Sequence, residues 1–356
     1  MSRLLCLASC LAVIAAACGG DSAARTESAS PTPWPVTAFP ELPAVMEDVP
    51  EARTKLGNLL FYDPILSIDR ETACATCHSE FWGMSDALPL AVGHGAGPLA
   101  GPGREGSNTL RRNAPALFNL AFRQSLNWDG GVTTLEAQAM MPLEAADELN
   151  LDPELAVEAV AAIPEYVELF SEAFPEDPSV TVANLSSALA AFQRTMISNR
   201  SLYDAYARGS HSVLSDELVE GMFLFAEMGC SDCHSPPLFE SETFADRNVP
   251  GAERIEDEGR AEVTGQSEDI GKFRTPTLRN VFESDPYFHN GSVKELDDAV
   301  RHELEQSELP FNEEEVRLIT LFIEDALRDD SRSADRPKSL PSGLPTPLDG
   351  PIFPGR

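Results

Sequence analysis

Basic residues are scarce in this sequence: 26 Lys and Arg stand against 58 Asp and Glu, and the formal net charge is −32. Nucleic acid and anionic membrane surfaces would repel such a chain, whereas a basic protein partner would be attracted to it. The alternative is that the charge only keeps the protein soluble. Charge therefore argues against nucleic acid as a partner but does not name the partner.

The N-terminus lacks an apolar run long enough to cross a bilayer. Arg3 is followed by the apolar stretch 4–17, which is too short for a membrane span and is typical of a signal-peptide core. Segment 15–18 resembles a bacterial lipoprotein cleavage site and makes Cys18 the lipidated first residue, whereas segment 7–10 fits that pattern better but leaves too short a core. We expect a signal peptide over 1–17 and a periplasm-facing lipoprotein of the bacterial cell envelope, held at the membrane only through Cys18.

Cysteine is also scarce, because two of the seven leave with the signal peptide and Cys18 carries lipid. The four others are Cys74, Cys77, Cys230 and Cys233. They form two close pairs, each followed at once by a histidine, His78 or His234, which is unlike the usual spacing of disulfide partners. Cys-x-x-Cys-His is the attachment sequence of c-type haem, in which the thiols bond the vinyl groups and the histidine lies under the iron. A zinc site or a redox-active cysteine pair are the alternatives, but neither needs the repeated histidine. The sequence predicts two covalent c-type haems.

No convincing series of strands is present, and apolar residues recur at helical spacing. The stripe from Val182 to Met196 predicts a core helix, and the stripe 218–225 predicts a helix that stops at Gly229, just before the second motif. Asn312 and Glu315 form a capping box for a closing helix. The predicted fold is mainly α, with two cytochrome c-like haem domains.

The expected domain boundaries follow from composition. A flexible tether rich in Ser, Thr, Ala and Pro occupies 18–45. An N-terminal haem domain follows over 46–209 and a C-terminal haem domain over 210–330. Residues 331–356 are expected to be a disordered tail, because Pro, Ser, Arg and Gly predominate there.

A series of short motifs runs from about Lys55 to Leu327. Besides the two attachment sequences, they include Gly93-His94-Gly95, Arg112-Asn113-Ala114-Pro115, Trp128-Asp129-Gly130, 135–139, 273–280 and 286–292. In kind and order they resemble the bacterial di-haem cytochrome c peroxidase family. The resemblance implies a peroxidase that reduces hydrogen peroxide to water. It takes electrons from a small cytochrome or cupredoxin, and they pass from the C-terminal to the N-terminal haem.

The same resemblance implies roles for residues around the first haem. His94 matches the family's removable distal ligand, and its Gly- and Pro-rich loop can move at low cost. Glu148 matches the family's acid, which moves a proton between the two peroxide oxygens, and Gln138 matches its neighbour in the distal pocket. The family's Asn-Pro before that acid is replaced by two alanines at 145–146. Trp128 matches the tryptophan between the two haems, where it relays electrons, packs the core, or both.

A calcium ion is also implied by the resemblance. Asn113, Ser284 and the carbonyl group of Pro286 fall on the family's calcium positions, although threonine is usual at the second. A hard cation accepts any oxygen donor, so serine is tolerable there.

Methionine is absent beyond Met228, although the family usually has a methionine as the far ligand of the second haem. Glu303 occupies that position, and a relative that matures methylamine dehydrogenase has tyrosine there. A capping box of Ser292 and Glu295 predicts a helix from about Val293, on which Glu303 falls within the apolar face and points at the iron.

Two questions remain open: which residue is the far ligand of the second haem, and which of three functions the protein has. His302 is the rival ligand to Glu303, although it lies about 100° around the predicted helix from Glu303.

The functional alternatives to the peroxidase are an oxidase of a partner protein's side chains and a plain electron-transfer cytochrome. A plain carrier has no use for an acid beside an openable haem, so it is the weakest of the three.

Overall fold

Helices are the main regular elements of the structure, a computed structural model that describes residues 49–252, 256–307, 309–331 and 336–351. The helices are α1 Glu51–Tyr62, α2 Cys74–Cys77, α3 Leu135–Glu144, α4 Pro153–Ala161, α5 Pro164–Ala173, α6 Val182–Arg194, α7 Leu202–Ala207, α8 Asp216–Glu227, α9 Cys230–Cys233, α10 Ala261–Thr264, α11 Leu296–Gln306 and α12 Glu313–Leu321. The strands are β1 Leu99–Ala100, β2 Phe244–Ala245, β3 Phe273–Arg274 and β4 Leu348–Asp349. None of the helices in these ranges is long and apolar enough to cross a membrane. The expected signal peptide, the lipid-anchored Cys18 and the tether lie outside the described residues.

The first hydrophobic core is built where α1 crosses α6. A side chain on Gly57 would place its Cβ 1.9 Å from the carbonyl oxygen of Ala188, so only glycine permits this approach of the two backbones. The predicted stripe on α6 is confirmed, since Leu185 and Leu189 are buried against this core. A short 3-10 helix, Pro64–Leu66, and a loop connect α1 to α2, which carries the first cysteine pair.

The second core repeats this arrangement with α8 and α12. A Cβ on Gly221 would lie 2.1 Å from the carbonyl oxygen of Leu318, the counterpart of the contact between α1 and α6. The predicted end of α8 at Gly229 is confirmed, with Gly229 in the left-handed conformation (φ 78°) directly before α9. The Asn312–Glu315 capping box of α12 is confirmed as well. Each core therefore has a Cys-x-x-Cys-His segment that follows one of its helices in the chain, directly after α8 in the second core and twelve residues after α1 in the first.

The two cores meet along loops that carry several of the short motifs named in the sequence analysis. The backbone amide of Arg274 on β3 donates to the carbonyl group of Trp128 at 2.8 Å, and that of Asn113 donates to His289 at 2.7 Å. Arg112 joins the same junction through a two-point ion pair with Asp257 at 2.7 Å. Main-chain and charged contacts thus fix the segment around Trp128 between the two cysteine motifs.

The C-terminal residues differ from the sequence-based expectation. Residues 336–351 are not a disordered tail, because they pack on the first core and β4 pairs in parallel with β1. Leu340 is buried there and Arg336 forms ion pairs with Glu80 and Asp349. The prediction was wrong because a few anchoring side chains outweigh a composition rich in Pro, Ser and Gly.

Candidate functional site

A cavity of about 430 Å³ opens beside α2, within the size range of about 300–1,000 Å³ that is usual for bound ligands. The residues that line it come from the first core and from the junction. Among them are Cys74, Cys77, His78, Asn113, Trp128, Gln138, Pro142, Glu148 and Leu189. The structure therefore brings the first attachment motif together with both predicted distal-pocket residues and with Trp128.

Both motif histidines are oriented as haem ligands would be. The ring nitrogen Nδ1 of His78 donates to the carbonyl oxygen of Met84 at 3.0 Å, and Nδ1 of His234 donates to that of Pro276 at 3.0 Å. A histidine held in this way presents Nε2, with its lone pair, to a metal. Burial lowers the pKa of both histidines, which favours the neutral form that binds iron.

The cysteine pairs suit covalent attachment better than thiol chemistry. Burial raises the pKa of Cys74 and of Cys230 to about 12, whereas redox-active cysteines have a lowered pKa. Within the described ranges, no group of three or more His, Cys, Asp or Glu side chains is arranged to hold a metal ion, as a zinc site would require. The donors present in both motifs fit a c-type haem.

Glu148, the predicted acid of the distal pocket, has a raised pKa. Burial, together with repulsion from Asp147, raises the pKa of Glu148 from 4.5 to about 7. The loop that carries it is closed by hydrogen bonds from the amide of Glu148 to the carbonyl of Ala145 at 3.1 Å and from Leu149 to Pro142 at 3.0 Å. The alanines at 145–146 therefore support a tight turn even without the family's Asn-Pro.

His94 lies close to Glu148, but the structure does not place it among the residues that line the cavity. Its Nε2 is 3.2 Å from the carbonyl oxygen of Ala146 and 3.0 Å from the side-chain nitrogen of Asn108. Its backbone amide donates to the carbonyl of Glu148 at 2.7 Å. In this arrangement Nε2 is engaged outside the cavity, so binding to iron requires a movement of the loop. Asn108 had received no role from the sequence.

Trp128 is positioned by its hydrogen bond to the junction. Its indole nitrogen donates to the carbonyl of Asn113 at 2.9 Å, and its ring centroid is 6.4 Å from that of His289. His289 in turn stacks on Phe273, with centroids 3.6 Å apart. The sequence analysis gave His289 and Phe273 no role, although both lie in shared motifs, because their stacking joins residues from two loops.

The residues at the predicted calcium position have oxygen atoms available. The side-chain nitrogen Nδ2 of Asn113 donates to the main-chain carbonyl oxygen of Leu88 at 2.8 Å, which leaves the side-chain oxygen Oδ1 as an acceptor. The hydroxyl group of Ser284 donates to Val281 at 3.0 Å and keeps its lone pairs, and Pro286 follows two residues later in the same loop.

Glu303 has a partner that the sequence analysis missed. Nε of Arg247 donates to its carboxylate at 2.7 Å, and both side chains are about one-third exposed (35% and 34%). Burial raises the pKa of Cys230, and the negative charge of Glu303 adds to this rise; for His234 the same charge opposes the lowering of the pKa by burial. Arg247, 56 residues away in the sequence, therefore balances the charge of this carboxylate in the structure.

The helix that carries Glu303 begins later than predicted. It starts at Leu296, and Glu295 makes no capping bond, because Val293 is engaged in a bridge with Tyr287. His302 also contacts Arg247, since its Nε2 lies 2.8 Å from the main-chain carbonyl oxygen of Arg247. Both candidate far ligands are thus held by Arg247.

Residues 51–212 match the sequence profile of the family described as di-haem cytochrome c peroxidase. The chain is 33% identical to the methylamine utilization protein MauG of Methylorubrum extorquens over 82% of its own length and 83% of the relative's. It is 34% identical to the cytochrome c551 peroxidase of Pseudomonas aeruginosa over 71% and 72% of the two chains. It is 32% identical to that of Nitrosomonas europaea over 83% and 86%.

Solved structures confirm the mainly α fold of cytochrome c-like domains. A MauG-like protein associated with microbial copper homeostasis superimposes with a TM-score of 0.69 at 25% identity, covering 82% of this chain and 93% of the other. The di-haem peroxidase BthA of Burkholderia thailandensis shares the fold with a TM-score of 0.64 at 21% identity, covering 88% and 93%. The chain therefore belongs to the di-haem cytochrome c peroxidase family, which includes MauG and which implies two c-type haems.

Proposed function

We propose that this protein reduces hydrogen peroxide to water at its first haem with electrons supplied through its second. One observation carries the proposal: a single cavity joins the Cys74–His78 motif to Gln138 and Glu148. A simple electron carrier has no need of a buried acid beside an accessible haem.

Glu148 moves the proton in this proposal. Cleavage of hydrogen peroxide requires two electrons and two protons, and it yields two water molecules. Ionised Glu148 accepts the proton of the inner peroxide oxygen and delivers it to the outer oxygen, so that water departs rather than hydroxide. Haems held by the two motifs would supply one electron each, and the pKa of about 7 allows the carboxyl group both to accept and to release the proton near neutral pH.

Trp128 is the proposed electron relay between the two motifs. It lines the cavity beside α2, and its main-chain carbonyl group accepts a hydrogen bond from the amide of Arg274; Pro276, two residues after Arg274, accepts the hydrogen bond of His234. These contacts connect the two attachment segments through Trp128, whose main chain bonds to the 274–276 segment.

Further assignments complete the proposal. His94 is the removable ligand of the first haem, which it binds only when its loop is released from Ala146, and Asn113, Ser284 and Pro286 hold calcium. Glu303, or alternatively His302, is the far ligand of the second haem. The donor is a small basic cytochrome or cupredoxin, attracted by the net charge of −32. The protein faces the periplasm, anchored through lipid at Cys18.

A second candidate is the oxidation of side chains on a partner protein. It is favoured by Glu303, which stands with Arg247 where the family usually has methionine, and by the relatives that are named methylamine utilization protein MauG. A carboxylate in place of the thioether would lower the potential of the second haem. A low potential is less suited to accepting electrons from a cytochrome.

Steady-state oxidation of reduced cytochrome c by hydrogen peroxide distinguishes the two candidates. The peroxidase proposal predicts sustained turnover in which two cytochrome molecules are oxidised for each peroxide consumed. If peroxide oxidises the di-haem protein but reduced cytochrome c and cupredoxins do not restore it, the peroxidase assignment fails and the second candidate is favoured.

A further inference from the structure

We propose that the C-terminal segment 336–351, here named the strap, positions the loop 93–104, here named the distal loop, and keeps His94 outside the haem cavity. Arg336 is the positioning residue that holds the strap in place. The part that concerns His94 rests on the proposed function of the first haem site.

Arg336 fastens the beginning of the strap to the first core. Its guanidinium donates to Glu80 at 2.7 Å and to both oxygens of Asp349 at 2.7 and 3.0 Å. The group also lies over the ring of Phe81, 5.1 Å from its centroid. Glu80 is itself held by the hydroxyl group of Tyr62 at 3.0 Å. Because Asp349 lies in β4, this one side chain connects both ends of the strap to residues near the first attachment motif.

The middle of the strap is anchored by burial. Leu340 is 7% exposed and belongs to the first hydrophobic core, and Leu344 packs against the same core. The hydroxyl group of Ser342 donates to Asp63 at 2.7 Å, an aspartate that also accepts from Tyr166 at 2.6 Å. The strap therefore has a defined path across the first domain.

The end of the strap is hydrogen-bonded to the distal loop. The amide of Leu348 donates to the carbonyl of Pro98, and the amide of Gly350 donates to that of Ala100, both at 2.8 Å. A Cβ on Gly350 would lie 2.4 Å from the carbonyl oxygen of Pro102, so the two backbones approach as closely as glycine allows. The distal loop thus gains a neighbouring strand that comes from the other end of the chain.

Arg104 holds the distal loop from within. Its guanidinium is buried and donates to the carbonyl groups of Val92 at 2.8 Å, Gly93 at 2.6 Å and Leu99 at 2.8 Å. These carbonyl groups lie on both sides of His94. Arg104 and the strap therefore fix the same loop at its beginning and in its middle.

The consequence concerns where His94 can reach. To enter the cavity, the His94 side chain must leave the carbonyl group of Ala146, and the distal loop must move with it. Each hydrogen bond that fixes the loop opposes this movement. Loss of the partly buried, charge-assisted bonds of Arg336 should raise the population of the released loop roughly ten- to hundredfold. The strap thus favours a first haem that is open to peroxide.

Hydrogen exchange and the ferric spectrum test this proposal on the haem-loaded protein. Arg336→Gln breaks the anchor, Arg336→Lys keeps the charge, and Arg317→Gln is the matched control, because Arg317 likewise joins two carboxylates but lies on α12. We expect exchange of peptides covering 93–100 and 344–351 to rise roughly ten- to hundredfold in Arg336→Gln. We expect Arg336→Lys to restore part of the protection and Arg317→Gln to leave it unchanged.

The ferric spectrum shows whether His94 uses this freedom. The first haem of Arg336→Gln should gain a low-spin component that is absent from the double variant Arg336→Gln/His94→Ala. Faster exchange in the strap alone, a low-spin component that survives His94→Ala, or a wild-type haem already bound by His94 would each overturn the proposal. These readouts do not require turnover, so a failure of the peroxidase assignment would be recognised separately.

Discussion

Glu148→Gln removes the proposed proton carrier while keeping the size and hydrogen-bonding shape of the side chain. A positioned acid–base group contributes about 10²–10⁴-fold to a rate, which is about 3–5 kcal/mol of transition-state free energy. We therefore expect peroxide reduction to fall by that factor. Peroxide binding should change little, because the cavity keeps its lining.

The pH profile gives the same prediction a second readout. Glu148 must be ionised to accept the first proton, and its pKa is raised to about 7. The wild-type kcat/KM for peroxide should therefore rise with pH through about 7 and then level off. The glutamine variant should lose this ascending limb.

The stability of the folded protein should fall as pH rises, which is opposite to the predicted rise of kcat/KM. The pKa of Glu148 in the folded protein lies above its ordinary value of 4.5, so its contribution to stability is present below pH 4.5 and is lost as pH rises through about 7. The rise corresponds to about 3 kcal/mol, and the neutral glutamine avoids this loss at pH 8. Urea unfolding at pH 4 and pH 8 measures the difference.

The matched control is Glu144→Gln, an exposed glutamate at the end of α3, four residues before Glu148. It should retain wild-type turnover and the wild-type pH profile. Stopped-flow and steady-state assays of both variants decide the matter. Wild-type turnover in Glu148→Gln, or an unchanged ascending limb, would refute the proposed role of Glu148.

Four further predictions follow from the other parts of the structure. A pyridine haemochrome assay should find two haems per chain, and a value of one would contradict the pairing of both motifs with haem. Arg279→Met should cost about 3–5 kcal/mol in urea unfolding, because Arg279 is fully buried and Asp204 would lose its two-point partner; Arg317→Met, on the surface, should leave the urea midpoint unchanged. Trp128→Phe should slow electron transfer between the haems in single-turnover kinetics without loss of folding, and an unchanged rate would make Trp128 a packing residue only. Glu303→Met should raise the potential of the second haem in a redox titration, whereas an unchanged potential would exclude Glu303 as its ligand.

Local signals in the sequence predicted much of the fold and of the first haem site. The apolar stripe of α6, the end of α8 at Gly229 and the capping box of α12 depend on residues within a few positions of one another, and all three are confirmed. The cysteine motifs are equally local. The distal pocket was placed by motif order, and Gln138 and Glu148 do line the cavity of the first motif.

The parts that the sequence analysis missed depend on contacts between distant residues. Arg247 pairs with Glu303 across 56 positions, and Arg336 pairs with Glu80 across 256. No periodicity or short motif records such contacts. The strap was misjudged for the same reason, because its composition is that of a disordered segment while its stability comes from Leu340 and Arg336.

Anaerobic titration of the fully reduced protein with hydrogen peroxide tests the central claim most directly. If two haems serve one peroxide site, one equivalent of peroxide should oxidise both haems of each chain, and Glu148→Gln should slow this reaction about 10²–10⁴-fold. Oxidation of only one haem per peroxide, or a rate that is the same in wild type and Glu148→Gln, would contradict the account.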